Sequence, residues 1–246
     1  MLVVYRICNE KEVARLNHFL SNEEIYAILE REIVTLKLKP GETLSENQLC
    51  ERFSVSRTPI RSVLQRLQQN RFVQIIPYKG TFVTPIDYSV MNQLIYQRVA
   101  VETMVLRDFV LQCSPPVAEH VRYKLEQMNS EANKLTDGTD SFDIDRFLQL
   151  DFAMHEVWFR ETDKVCLWNA FSHPQADYTR FCMLDIVEAN NVPDVLSEHK
   201  QMMDIIDRKI PITAIEQLMQ QHLYGGVRRL GSQIYTELWS YFAPLE

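Results

Sequence analysis

The feature that most restricts the fold is a change of texture at Pro85. Before it, helical periodicity gives way to two short β-rich runs around a Pro/Gly turn. After it, residues 88–246 repeat their apolar side chains at helical spacing and no convincing strand remains. Such a chain is mainly α, a small mixed unit followed by an all-helical bundle. With 246 residues, each unit is long enough to bury a core. The expected organisation is an N-terminal extension over 1–20, a first domain over 21–86 and a helical domain over 87–246.

The first domain can be read element by element. Ser21-Asn22-Glu23-Glu24 has the pattern of a capping box, and Ile25, Ile28, Leu29, Ile33 and Leu36 follow at helical spacing until Pro40-Gly41. Ser45-Glu46-Asn47-Gln48 is a second box, opening a short helix with Leu49, Cys50 and Phe53 on one face. Ser54-Val55-Ser56 makes a tight turn. Ser56 then caps a third helix, which carries Pro59 in its first turn and Ile60, Val63, Leu64 and Leu67 inward. Phe72–Ile76 and Thr81–Val83 flank Pro77-Tyr78-Lys79-Gly80, the composition of a hairpin. Helix, helix, turn, helix, hairpin is the order of a winged helix-turn-helix, whose third helix suits a major groove.

Beyond Pro85, helices are expected over about 89–112, from 117 after Ser114-Pro115-Pro116, and over 143–162, 164–189, 193–209 and 213–241, with a linker at 136–140. The net charge of −7 argues at first against nucleic acid, but it is unevenly spread. Residues 1–86 hold 12 Lys and Arg against 9 Asp and Glu, a charge of +3, and the remainder carries −10. The reading head is basic, and the acidic bundle helps to confine DNA contact to it.

No apolar run reaches membrane-spanning length, and the first residues lack a secretory apolar core, so no membrane partner and cytoplasmic residence are expected. The five cysteines (8, 50, 113, 166 and 182) form no CxxC pair, as expected of reduced thiols.

Two constellations carry chemistry. Arg57 and Arg61, four residues apart, share a face at the start of the third helix, where they suit guanine or phosphate. The Thr58 hydroxyl and the free N–H groups there suit phosphate. Lys79 and Gly80 form the wing tip, and Ser45, Asn47 and Ser56 complete the DNA-facing set. In the bundle, Asp151 and His155 share a helix face, with His199 and His222 in later helices. Three imidazoles and one carboxylate suit Zn, Ni, Fe or Mn. On spacing alone, separately hydrogen-bonded histidines are the commoner outcome. His18, His120 and His173 are read as structural, and Asp185 and Glu188 as a solvated face.

The stretch from Ile25 to Val83, above all KPGETLSENQLCERFSVSRTPIRSVLQRL, resembles the GntR family of bacterial transcription regulators. The resemblance implies operator contacts from Arg57, Thr58, Arg61 and Gly80. Some members have Arg at the position held here by Asn47, so the operator can differ from theirs. Residues 90–230 resemble the FCD effector domain of the FadR subfamily, through Asp151-Phe152-Ala153-Met154-His155, Glu198-His199 and Gln221-His222-Leu223. This implies a divalent metal on Asp151, His155, His199 and His222, a small organic acid effector, and a homodimer on pseudo-palindromic operator DNA. Met154 replaces a usual Phe, and Asp163-Lys164 a usual Gly-Asn. Arg98 and Arg180, each in an otherwise apolar helix, are candidate carboxylate anchors.

Two alternatives stay open at this stage. In one, the metal is itself the signal. In the other, it activates water for hydrolysis, although no further residue is placed by motif as a general base. An enzyme is not expected.

Overall fold

The computed structural model describes residues 20–135, 142–172 and 175–244. Residues 1–19, the linker at 136–140 and His18 and His173 lie outside them.

Helix α1 (Asn22–Val34) starts at the expected capping box. Ser21 Oγ accepts from the Glu24 N–H, and the Glu24 carboxylate accepts from the Ser21 N–H at 2.8 Å. Helix α2 (Glu46–Phe53) is capped by Ser45, which accepts from Gln48 N–H. Ser54, at φ 54°, turns the chain into α3 (Arg57–Gln69). Ser56 occupies the N-cap position, but its hydroxyl makes no cap bond, which corrects the expected cap. Ile25, Leu29 and Ile33 bury against Ile60, Leu64, Leu67 and Phe72. Each fully buried side chain of this kind contributes about 1.5–3 kcal/mol.

The hairpin of β2 (Val73–Ile76) and β3 (Gly80–Val83) forms in antiparallel register, with Ile76 opposite Gly80. A two-residue strand, β1 (Thr43–Leu44), adds to β3 and makes the sheet three-stranded in the order β1-β3-β2. It is too short to show periodicity, so the sequence reading missed it.

The bundle comprises α4 (Tyr88–Gln112), α5 (Pro115–Asn133), α6 (Ile144–Glu161), α7 (Val165–Ser172), α8 (Ala176–Ala189), α9 (Val192–Ile206), α10 (Ile215–Leu223) and α11 (Gly225–Leu230). Its core runs from Met91 and Phe109 through Phe147, Trp158 and Phe159 to Met202 and Met219. Two expected helices are corrected. The run over 164–189 is two helices, α7 and α8. The run over 213–241 is helical only as far as Leu230. Gly225 and Gly226 weaken it, and Gly231, at φ 45°, leaves helical geometry, after which short 3₁₀ turns follow.

That C-terminal segment lies along the connection between the units. Ile86 N–H donates to Tyr241 O, and Ala243 N–H donates to Ile86 O, both at 2.8 Å. The two units also share side chains across their boundary: Ala176 of α8 joins the core of the small unit, and Leu36 joins that of the bundle. Arg31 pairs with Asp145 at 2.8 Å.

Candidate metal centre and nucleic-acid interface

The exposed surface of the small unit brings the expected DNA-facing residues together. Arg57, Thr58 and Arg61 project from the first turns of α3, and α2 holds both arginines. Arg57 Nη2 donates to Asn47 Oδ1 at 3.0 Å, and Arg61 Nε donates to the Glu46 carboxylate at 3.0 and 3.2 Å. Glu46 was missed by the sequence reading, because its partner lies fifteen residues away. Ser56 keeps its hydroxyl uncommitted to a cap, whereas the Ser45 hydroxyl caps α2. At the wing tip Lys79 and Gly80 are exposed, with Gly80 at φ 123°, a conformation that favours glycine. Beside them, Tyr78 is fully exposed at φ 62°.

In the bundle, α6 carries Asp151 and His155, α9 carries His199 and α10 carries His222. One ligand atom from each lies within 4.8 Å of all the others. Each imidazole is held by a hydrogen bond from its Nδ1. His155 donates to the Glu102 carboxylate, His199 to Val195 O at 2.8 Å, and His222 to Glu198 Oε2 at 2.9 Å. With Nδ1–H as donor, Nε2 is left with its lone pair. The Nε2 atoms of His155 and His199 lie 3.2 Å apart. Asp151 Oδ1 comes within 3.1 Å of His199 Nε2 without the alignment of a hydrogen bond, and it has no other partner among the described residues.

The electrostatics match this geometry. Burial opposes ionisation of Asp151, but His199, backed by His155 and His222, outweighs it and holds the carboxyl below the usual range. Burial lowers the pKa of His222, with Glu198 opposing; for His199, Asp151 overcomes burial and the pKa rises. Convergent lone pairs beside a carboxylate oxygen without a partner are the donor set that a divalent cation requires, with Glu102, Glu198 and a backbone carbonyl orienting the rings.

Arg98 and Arg180 have separate roles. Arg98 is buried, and its Nε donates to Glu102 Oε1 at 2.5 Å, so it lies behind His155 in the chain Arg98–Glu102–His155. Its guanidinium sits between the rings of Phe152 and Tyr178. Burial raises the Glu102 pKa, but Arg98 and His155 bring it down to about 2. Arg180 does not face this centre. Its guanidinium donates to Thr84 O, Pro85 O and Asp177. The expected anchor is thus committed to the connection between the two units.

A small cavity of about 50 Å³ lies against Asp151 and His222, with Phe147, Phe181 and Leu223 in its wall. Asp185, read from the sequence as solvated, is instead buried in that wall, with Arg229 donating to it at 2.6 and 3.1 Å.

Residues 21–83 match the family model described as bacterial regulatory proteins of the gntR family, and residues 93–225 match that of the FCD domain. The HTH-type transcriptional repressor RspR of Escherichia coli K12 is 29% identical over 204 residues, 82% of this chain and 85% of its own. The galactonate operon transcriptional repressor of the same strain is 29% identical over 228 residues, 85% of this chain and 96% of its own. Among solved structures, E. coli McbR/YncC has a TM-score of 0.63 at 15% identity, covering 86% of this chain and 97% of its own. A putative GntR regulator from Rhodococcus sp. RHA1 also reaches 0.63, at 19% identity, covering 85% and 97%. At these identities the two structures bear on the fold alone.

Proposed function

The chain belongs to the GntR family of bacterial regulatory proteins and carries an FCD domain, and from that premise we propose a transcription regulator whose bundle holds a divalent metal ion and a small carboxylate effector that together set operator affinity. One observation carries this reading. Three imidazoles have their Nδ1–H groups engaged by Glu102, Val195 O and Glu198, and they converge through Nε2 beside the unpartnered Asp151 oxygen. A bound Zn, Ni, Fe or Mn ion supplies a Lewis-acidic anchor for a carboxylate. Asp151, His155, His199 and His222 hold it, and the adjoining cavity receives the rest of the effector.

The reading head acts through Arg57, Thr58, Arg61, Lys79 and Gly80, with Ser45, Asn47 and Ser56 around them. The charge of +3 on residues 1–86 gives one head a limited electrostatic grip, which supports a homodimer with two heads on one operator. No described helix is long and apolar enough to cross a membrane, and we place the protein in the cytoplasm with its DNA. The cavity favours an organic effector over the ion acting alone. Hydrolysis is the weaker reading, since among the described residues the carboxylates of Glu102 and Glu198 are both spent on imidazoles.

Metal analysis of the purified protein and of Asp151→Ala, paired with fluorescence anisotropy on selected operator DNA, tests the proposal. We expect about one ion per chain in the wild type, far less in the variant, and an operator affinity that shifts when a carboxylic acid joins the metal-loaded protein. A wild-type protein that binds no ion even on reconstitution, or no DNA specifically, sinks it.

A further inference from the structure

The connection between the two units is bonded on both sides. Helix α8 takes one side: Arg180 donates to the carbonyls of Thr84 and Pro85, and Asp177 accepts from the Asp87 N–H. The segment after α11 takes the other. Ile86 N–H donates to Tyr241 O and Ile86 O accepts from Ala243 N–H, in a parallel bridge that sets Ile86 beside Phe242. Thr84 N–H donates to Phe72 O. Every backbone donor and acceptor from Thr84 to the Asp87 N–H is thereby paired, so the reading head cannot turn about these residues until one side lets go.

The two sides differ in what release entails. On the α8 side the donor is the buried guanidinium of Arg180, and breaking its bonds strands a charge away from water. The other side is neutral. It rests on the two Ile86 bonds and on Ile234, Leu238 and Phe242, which are buried in the bundle core. Tyr88 packs its ring against Tyr235 and Phe242, with centroids 6.4 and 6.5 Å away. The segment is built from short 3₁₀ turns, Gly231–Tyr235 and Trp239–Tyr241, whose bonds are poorer than those of an α-helix. Its outer face is wet, with Tyr235 58% and Trp239 68% exposed. It also lies beyond residue 225, where the match to the FCD domain stops.

We propose that residues 231–243 are a latch for the reading head. Seated, the latch fixes the connection while the Arg57, Thr58 and Arg61 face of α3 stays open to solvent, free to meet a groove. Unseated, it uncovers Ile86, whose N–H and carbonyl turn to water, and the head swings among poses of which few fit the operator. Only molecules with a seated latch then bind at full affinity. The inference rests on the operator-binding part of the proposed function and not on the metal or the acid.

Hydrogen exchange on the full-length protein is the first test. In the wild type, peptides covering Ile86 and residues 238–243 should open together, well before α8 and the bundle core. Ala243→Pro removes one latch donor at a site where Phe242 is already extended, the conformation favoured before proline. It should speed exchange at Ile86 about five- to ten-fold and leave α8 unchanged, whereas Ala243→Ser, which keeps the N–H, should match the wild type. Phe242→Asp puts a charge into the apolar seat. By fluorescence anisotropy it should weaken a selected operator about ten-fold or more, and unrelated DNA by less than about two-fold. Ile86 protection that is lost only together with α8, in global unfolding, overturns the inference, and this wild-type result does not depend on any variant folding. A well-folded Phe242→Asp protein with wild-type operator affinity overturns it too. A wild-type protein without preference for any operator sinks the proposed function itself, while the exchange result still judges the latch.

Discussion

The buried guanidinium of Arg180 donates to the backbone carbonyl of Thr84, the first residue beyond the wing strand. On the same helix, Asp177 Oδ1 accepts from Asp87 N–H at 2.9 Å, so α8 grips the connection at both ends. Its neighbours Tyr178, Phe181 and Cys182 wall the cavity beside the metal centre. One helix therefore touches both this cavity and the chain leading to the small N-terminal unit. Burial drives the Arg180 pKa down to about 10 against the pull of Asp177, but the group stays charged at neutral pH. Replacing it leaves the Thr84 and Pro85 carbonyls without this donor and Asp177 buried with the Asp87 N–H alone. Arg180→Met is expected to cost about 3–5 kcal/mol, and to separate the melting of the two units into resolvable transitions by calorimetry. A single transition at the wild-type temperature would show that the grip is not what joins them.

Arg180 also marks where sequence reading stops. Caps, apolar stripes and the hairpin turn are local properties, so the small unit and the starts of α4 and α6 were readable within a residue or two. The destination of a buried charge is not local. Nothing in the neighbourhood of Arg180 distinguishes a cavity anchor from a brace for residues 96 positions away. Asp185 looked solvated because its partners, Asn191 and Arg229, come from later elements. All four residues of the candidate metal cluster were named from the sequence, but only Asp151 and His155 are tied together by spacing; His199 and His222 are brought to them by packing, and Glu102 and Glu198, which orient the rings, carried no local signal. The helix expected over 213–241 was overextended because apolar spacing continues past Gly231, where a positive φ rather than patterning ends the helix.

At the reading head, Glu46 holds the Arg61 side chain by two contacts of 3.0 and 3.2 Å on an exposed surface. A carboxylate there repels phosphate and limits the poses open to Arg61. Glu46→Gln is therefore expected to tighten binding to unrelated DNA and to narrow the gap to the specific site. Arg61→Ala should instead weaken the specific site by about 1–3 kcal/mol. Anisotropy titrations with both DNAs across a salt series measure the two effects. Equal losses on both DNAs for Arg61→Ala would reduce Arg61 to a phosphate contact.

Glu32 ties α1 to α2 through a two-pronged bond, accepting from Arg52 Nη1 at 2.7 Å and Nη2 at 2.6 Å. Burial raises its pKa, but Arg52 and then Lys37 outweigh burial and hold the carboxyl below its ordinary value. The folded state thus binds this proton less readily than the unfolded chain. The stabilisation is complete above the unfolded value, near 4.5, and fades as pH falls through the lower folded one. Glu32→Gln should cost about 1–2 kcal/mol at neutral pH, with the difference from wild type shrinking as the pH drops below about 4.5. Urea unfolding of both proteins across that range checks it, and a difference that stays constant down to low pH would contradict it.

Gly226 is where α11 meets α8. A Cβ there would stand 2.9 Å from the Phe181 ring and 3.0 Å from the Asp185 carboxylate. The ring can tilt, but Asp185 is fixed by Asn191 and Arg229. Alanine would ordinarily improve a helix by about 1 kcal/mol, whereas crowding a packed interface costs about 1–3 kcal/mol. Crowding should prevail, because the atoms in the way are held by hydrogen bonds. Gly226→Ala is accordingly expected to lower the urea midpoint and, by pushing Asp185 and Asn191 out of place, to weaken acid binding while leaving zinc stoichiometry unchanged. A midpoint at or above wild type would mean that α11 moves aside freely, and that the far wall of the cavity is not rigid enough to select a ligand.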